Sequence, residues 1–154
     1  MSIAIRPAEN ADGPAVSVMV ASILAEYGLK LDPAGIDADL NDLEANYHRP
    51  GGWFVVVEDE FNRLVGSAGL HPLDRETVEL RKMYLRPEMR GFGLGKRLLD
   101  DAIQFARGAG YKKIVLETNH KLVQAIELYK ARGFHEVTPE GCVSRCDQRW
   151  ELAL

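Results

Sequence analysis

Three glycines alternate with larger residues in the segment Arg90-Gly91-Phe92-Gly93-Leu94-Gly95-Lys96. Where such a segment opens a helix, the first N–H groups have no partner and carry the positive end of the helix dipole. A backbone without side chains can therefore close on phosphate oxygens. Arg90 and Lys96 can add charge-assisted contacts to the same anion. The pattern predicts a binding turn for a diphosphate group.

Two other phosphate-binding loops fit the segment poorly. A P-loop requires Ser or Thr after its lysine, but Lys96 is followed by Arg97. The dinucleotide fingerprint Gly-x-Gly-x-x-Gly requires a third glycine at the position of Lys96. Glu117 does imitate the acid that binds a ribose hydroxyl, so a nucleotide-dependent oxidoreductase remains an alternative.

Hydrophobic periodicity indicates the elements that must position this turn. The pattern predicts a parallel pair of strands, 78–85 and 113–117, joined by a right-handed crossover through a helix from Leu94 to Gly108. For the strands that precede residue 78, the pattern indicates antiparallel hairpins. We expect one domain over residues 1–154, with an α/β (α+β) fold and a mixed, largely antiparallel sheet of about six to seven strands flanked by helices. The other predicted strands are 3–6, 53–57, 64–70, 134–137 and 149–154, and the other predicted helices are 12–27, 36–47 and 122–132.

A second motif, Ala125-Ile126-Glu127-Leu128-Tyr129-Lys130-Ala131-Arg132-Gly133-Phe134, follows in the next helix. It is similar to the A-x-x-L-Y-x-x-x-G-F helix ending of the GNAT superfamily of N-acetyltransferases. The segment Arg90–Gly95 resembles the same family's acetyl-CoA signature, Gln/Arg-x-x-Gly-x-Gly/Ala. The resemblance is strongest from Glu79 to Phe134 and implies a GNAT-like sheet in a single N-acetyltransferase domain, with acetyl-CoA as cosubstrate.

The resemblance also implies where the cosubstrate binds. The strands carrying Met83-Tyr84-Leu85 and Leu116-Glu117-Thr118-Asn119 would separate to admit the pantetheine arm, with backbone N–H groups near Met83 and Leu85 as donors. The cofactor-binding residues expected on this basis are Met83, Tyr84, Leu85, Arg90, Gly91, Phe92, Gly93, Leu94, Gly95, Lys96, Asn119, Ala125 and Tyr129.

Two residues are expected to move protons. By resemblance, Tyr129 donates a proton to the departing thiolate, although its helical position also suits a core tyrosine. Glu79 resembles the acidic position that accepts the proton of the attacking amine, and Glu117, His71 and His120 are rivals for that role. No cysteine accompanies these elements, so we expect direct attack in a ternary complex.

Composition and charge limit the classes of molecule that we expect the protein to bind. A formal net charge of −4 argues against nucleic acid, and no apolar run approaches the roughly 20 residues of a membrane span. The N-terminus lacks signal-peptide features, so we expect a cytoplasmic protein. Cys142 and Cys146 show no metal-ligand spacing and read as reduced residues, so we expect no metal.

The acceptor is indicated only by class. Nine acidic residues lie between Glu26 and Glu60, against two basic ones, Lys30 and Arg49. If they line the pocket, they favour the amino group of a small molecule, an amino acid or a peptide. A homodimer is left open. A catalytically inactive acyl-CoA-binding or sensor domain is the first alternative function.

Overall fold

A computed structural model describes residues 2–141 and 145–154 of the chain. Its helices are α1 (Gly13–Ala25), α2 (Leu94–Gly108) and α3 (Val123–Ala131). Its strands are β1 (Ile3–Pro7), β2 (Trp53–Asp59), β3 (Leu64–Pro72), β4 (Thr77–Leu85), β5 (Lys113–Thr118), β6 (His135–Val137) and β7 (Gln148–Ala153).

The strands form one sheet in the order β1-β2-β3-β4-β5-β7-β6. β4 and β5 run parallel, and every other neighbouring pair is antiparallel. α2 makes the crossover between β4 and β5, as the strand-helix-strand pattern predicts. The mixed, largely antiparallel sheet with one parallel pair is thereby confirmed.

Helices cover both faces of the sheet because β2 buries alternate side chains on opposite sides. Phe54 and Val56 pack with residues of α1, whereas Val55 and Val57 pack with Leu98 and its neighbours on α2. Each fully buried side chain of this kind contributes about 1.5–3 kcal/mol to folding. Among the described residues, no helix combines the length and the apolar character that crossing a bilayer would require.

The predicted helix over residues 36–47 is wrong. The segment forms a 3-10 turn at Ala38–Asn41 and a single π-helical turn at Glu44–His48. Asp42 lies between them, and its side chain accepts hydrogen bonds from the Ala45 N–H at 2.9 Å and from Asn10 at 3.1 Å. Such local bonds compete with helical pairing. The apolar spacing marks a buried face, because Leu40, Leu43 and Tyr47 are 0–3% exposed.

A β-bulge interrupts β4. Ser67 of β3 pairs with Tyr84 and Gly69 pairs with Arg81, so two residues of β4 oppose one residue of β3. Lys82 takes a positive φ of 56°, and the Ser67 hydroxyl donates to its carbonyl at 2.7 Å. The extra residue directs the Arg81 and Lys82 side chains to the same face, toward the segment that follows α1.

The structure tests the prediction of reduced cysteines at one of the two positions. Cys146 is disulfide-bonded, so the expectation of a reduced residue is wrong there. Cys142 lies outside the described residues.

Candidate active site

The two parallel strands part in the middle of the sheet. Their ladder ends at the pair Leu80 and Leu116, while β4 continues to Leu85. A cavity of about 680 Å³ opens between the separated ends. The backbone of β4 beyond the ladder therefore offers hydrogen-bonding groups to whatever enters from the β5 side.

The glycine segment forms the entrance of α2. Gly93 caps the helix with a φ of 80° and no side-chain cap from a described residue. The first helical bond runs from the Arg97 N–H to the Gly93 carbonyl at 3.0 Å, which leaves the N–H groups of residues 94–96 without a helical partner. A Cβ added at Gly91 (φ 85°) or Gly93 would meet no described atom within 4 Å. We call residues 90–96 the cradle, because this open, left-handed backbone can receive an anion.

Arg90 anchors the cradle to the rest of the protein. Its guanidinium donates to both carboxylate oxygens of Glu26, at 2.9 and 3.1 Å, and to the carbonyl of Leu85. These bonds hold the cradle against the end of α1 and against β4. Lys96, by contrast, is exposed.

Gly95 has a packing role within the cradle. A Cβ there would lie 2.9 Å from Cδ1 of Leu128, so the residue allows α2 and α3 to approach closely. The three glycines therefore differ in function: the first two provide backbone conformation, and the third provides space.

Tyr129 of α3 is 6% exposed, and its ring centroid lies 5.7 Å from that of Phe134. The residue lines the cavity, and its hydroxyl forms no hydrogen bond with any described residue. Burial raises the pKa of Tyr129 well above the ordinary tyrosine value, with a smaller contribution from Tyr84. Burial also raises the pKa of Tyr84, to about 12. Both hydroxyls are therefore protonated at neutral pH and can donate.

Two carboxylates approach the cavity from the separating strands. Glu79 of β4 forms an ion pair with Arg81 through Oε1, and Glu117 of β5 lines the same cavity. Burial raises the pKa of Glu117, and the charge of Glu79 raises it further. Among the rival bases, His71 lines the cavity with Nδ1 2.7 Å from the Asn46 carbonyl, whereas His120 pairs with Asp147.

A buried charge network closes one side of the cavity. Lys82 Nζ lies 3.1 Å from carboxylate oxygens of both Asp37 and Asp39. Arg145 donates to both oxygens of Asp37, at 2.6 and 2.8 Å. Tyr47 donates to Asp39. The charges are compensated within the protein, as buried ions require.

Most of the residues expected at the site meet here. Those that line the cavity are Glu79, Met83, Tyr84, Leu85, Arg90, Gly95, Asn119, Ala125 and Tyr129. The remaining cradle residues adjoin it: Gly91 and Gly93 are open, Phe92 is 64% exposed and Leu94 is 7% exposed. Within the described part of the chain, no group of three or more His, Cys, Asp or Glu side chains is placed to hold a metal ion.

Comparison with known proteins decides the family. The model of the acetyltransferase (GNAT) family matches residues 19–134. The uncharacterized N-acetyltransferase YjgM of Escherichia coli (strain K12) is 39% identical over 88% of this chain and 84% of its own length. The chain belongs to the GNAT acetyltransferase family.

Solved GNAT structures share the fold. An acetyltransferase of the GNAT family from Staphylococcus aureus Mu50 superposes with a TM-score of 0.91 at 25% identity, covering 99% of each chain. A protein from Salmonella typhimurium solved with its cofactor acetyl-CoA has a TM-score of 0.75 at 24% identity, covering 99% of this chain and 94% of its own.

Membership in the GNAT family makes this protein an acyltransferase and an N-acetyltransferase. The oxidoreductase alternative is thereby removed. The pattern of two motifs in order, with a strand between them, was sufficient to predict the family.

The charged residues that line or support the cavity of this GNAT protein were not predicted from the sequence. Arg81, Lys82, Asp37 and Arg145 all line or support the cavity, yet none belongs to a motif. The sequence gives one signal, at Arg81 and Lys82: two basic residues are adjacent in a strand, where alternation would place their side chains on opposite faces. The bulge that brings both to one face has no signature that a single sequence reveals.

Proposed function

We propose that this protein transfers an acetyl group from acetyl-CoA to the amino group of a small molecule, an amino acid or a peptide, by direct attack in a ternary complex. In this proposal Glu79 accepts the proton of the amine and Tyr129 donates a proton to the departing sulfur. The cradle, the β4 edge from Met83 to Leu85, and Asn119 and Ala125 hold the cosubstrate.

The observation that carries the proposal is the cavity between β4 and β5. Beside it are cradle N–H groups without a helical partner, in its wall is a tyrosine hydroxyl that bonds to no described residue, and each strand contributes a carboxylate. A transfer to an amine needs all three kinds of group: anion-binding donors, a proton donor and a proton acceptor.

The cradle fits the diphosphate of coenzyme A, because its left-handed glycines present backbone donors without side chains in front of them. Acetyl-CoA supplies an activated thioester when it is bound. Arg90 supports this site by fixing the cradle in place, since its guanidinium is occupied by Glu26 and Leu85. Lys96 remains a candidate for a direct contact with phosphate.

Each proton carrier suits its proposed role. The buried hydroxyl of Tyr129 has a raised pKa, so it is protonated at neutral pH and available to donate to the departing sulfur. Glu79 leaves Oε2 without a hydrogen bond from any described residue, and that oxygen can accept from the amine. Glu117 is the second candidate base, because burial and the neighbouring Glu79 raise its pKa above the ordinary glutamate value.

The acidic stretch from Glu26 to Glu60 gives less support for an amine acceptor than its sequence suggested. Of its nine members, Asp39 lines the cavity, and its charge is taken up by Lys82. The preference for an amine therefore depends on Glu79 and Glu117 instead. The cytoplasmic location and the homodimer stay predictions.

A thiol-release assay with acetyl-CoA and a panel of amines, amino acids and peptides tests the proposed function. We expect thiol release with at least one acceptor class, and initial-rate lines that intersect when both substrates are varied. Parallel lines would indicate a covalent acyl-enzyme instead. Calorimetric binding of acetyl-CoA without turnover on any amine would favour the inactive acyl-CoA-binding alternative, and no binding would overturn the cradle.

A further inference from the structure

Arg81 differs from Lys82, Arg90 and Arg145 in having guanidinium N–H groups that bond to no described residue. Its Nε bonds to Glu79 and the Tyr47 hydroxyl interacts with the guanidinium, which still leaves N–H groups of the two Nη atoms without a partner among the described residues. They are not sealed in the interior either, because no buried side-chain nitrogen lacks a partner among the described residues. The outer edge of the guanidinium therefore opens into the cavity that Arg81 lines.

The neighbouring cations cannot serve an incoming anion in the same way. Lys82 is held between Asp37 and Asp39, and both Nη atoms of Arg145 bond to Asp37. The guanidinium of the cradle arginine is occupied by Glu26, as described above. A ligand anion in this half of the cavity would thus find its best-placed free donors on Arg81.

The position of Arg81 relative to Glu79 indicates what such a ligand would look like. The two residues are i and i+2 on β4, on the same face of the sheet, and their side-chain ends are in contact through the ion pair. Side by side they present one carboxylate oxygen and several guanidinium N–H groups that bond to no described residue. This combination matches a molecule that carries an amine and a carboxylate close together.

We propose that the acceptor is an α-amino acid with a free carboxylate, and that Arg81 binds this carboxylate while Glu79 receives the amine. The inference rests on the proposed acetyl transfer and narrows its acceptor class. Arginine suits the task because its planar fork bonds both carboxylate oxygens at once. A peptide amine, whose nearest carbonyl is an uncharged amide, would leave the fork without its charged partner.

The test compares three forms of the same acceptor in the thiol-release assay: each common amino acid as its free acid, its α-carboxamide and its decarboxylated amine. We expect kcat/KM for the best free acid to exceed that for its carboxamide and its amine by about 10- to 100-fold, as lost bonds to a charged group imply. If the three forms react equally well, the inference is wrong although the proposed function stands. If none reacts while peptides or polyamines do, it is equally overturned.

Arg81→Gln separates carboxylate binding from a purely structural role. We expect this variant to raise KM for the free acid and to abolish the preference over the carboxamide, with unchanged calorimetric affinity for acetyl-CoA. Arg81→Lys keeps the charge but loses the fork and should retain only part of the preference. If Arg81 only orients Glu79, kcat would fall by the same factor for all three acceptor forms, and the inference would be refuted.

Arg107→Gln is the matched control, because Arg107 is an exposed arginine at the far end of α2 and does not line the cavity. It should leave the preference unchanged. Should Arg81→Gln fail to fold, the wild-type comparison of acid, carboxamide and amine still decides the question. Absence of thiol release from every acceptor would instead count against the proposed function itself.

Discussion

At the scale of single residues, the site depends on groups whose hydrogen bonds are incomplete. The Tyr129 hydroxyl and N–H groups of the Arg81 Nη atoms bond to no described residue, whereas Lys82 and Arg145 are paired with aspartates. Buried polar groups are normally satisfied. We therefore expect bound substrates to complete the bonding of these groups.

Tyr129→Phe should remove the proton donor and little else. We expect kcat to fall by about 10²–10⁴-fold, the usual contribution of general acid catalysis, with unchanged acetyl-CoA affinity in calorimetry. Tyr111→Phe is the matched control: it also deletes a hydroxyl, one that donates to the Gly51 carbonyl at 2.9 Å outside the cavity. A Tyr129→Phe enzyme with wild-type kcat would refute the proton-donor role.

Glu79→Gln and Glu117→Gln distinguish the two candidate bases. A carboxylate base must be ionised, so kcat/KM rises with pH through its pKa, and removing it abolishes that acidic limb. We expect the limb to disappear in Glu79→Gln and to persist in Glu117→Gln. Because the Glu79 charge raises the pKa of Glu117, NMR titration of Glu117 should show a lower pKa in Glu79→Gln. Loss of the limb in Glu117→Gln alone would transfer the role to Glu117.

Motif residues were predictable from the sequence, and residues outside the motifs were not. Tyr129 and Gly93 sit at fixed offsets in segments whose backbone conformation follows from their own residue types. Arg81 depends on a bulge opposite Ala68, and Asp37 depends on contacts with Arg145, 108 positions away. Pairings of this length are set by the whole fold, so no local pattern carries them.

At the scale of elements, the entrance of α2 is the feature that the sequence predicted best. The alternating glycines indicated both the helix start and its open backbone, and Gly93 does cap α2 in a left-handed conformation. The segment 36–47 shows the opposite case. Its apolar spacing predicted the buried face correctly, but the turn-forming bonds of Asp42 replaced the helix.

Gly93→Ala should weaken acetyl-CoA binding by backbone strain. A Cβ at Gly93 meets nothing within 4 Å among the described atoms, but the φ of 80° costs an L-residue about 1–2 kcal/mol. Relaxing that strain turns the cradle's N–H groups, so we expect at least about a tenfold loss of acetyl-CoA affinity in calorimetry.

Gly110→Ala is an equivalent substitution beyond the other end of α2. Gly110 has a φ of 88°, and its Cβ would also meet no described atom within 4 Å. Both variants should lose similar thermal stability, but Gly110→Ala should bind acetyl-CoA normally. Equal affinity in the two variants would show that the cradle does not need its left-handed glycine to bind.

At the scale of the whole molecule, the charge network joins parts of the chain that are distant in sequence. Asp37 belongs to the segment after α1, Lys82 to the centre of the sheet and Arg145 to the approach to β7. Arg145 also donates to the carbonyl of Lys30 at 3.0 Å. These bonds hold one wall of the cavity in place, so the network links global stability to the geometry of the cavity.

Asp37 should make the protein's stability depend on acid pH. Burial alone would raise the pKa of this carboxyl, which is 2% exposed, but hydrogen bonds from Arg145 and the Asp32 N–H, with the charge of Lys82, lower it from 3.8 to about 2. The group therefore contributes about 2 kcal/mol of stability above pH 4, and this contribution is lost as the pH falls from about 4 to about 2. Urea unfolding across this range should show the free-energy gap between wild type and Asp37→Asn narrowing. Asp74→Asn, at an exposed carboxylate whose pKa is lowered mainly by the N–H groups of Glu76 and Thr77, should show a smaller gap, and parallel curves for wild type and Asp37→Asn would mean that the network does not control acid stability.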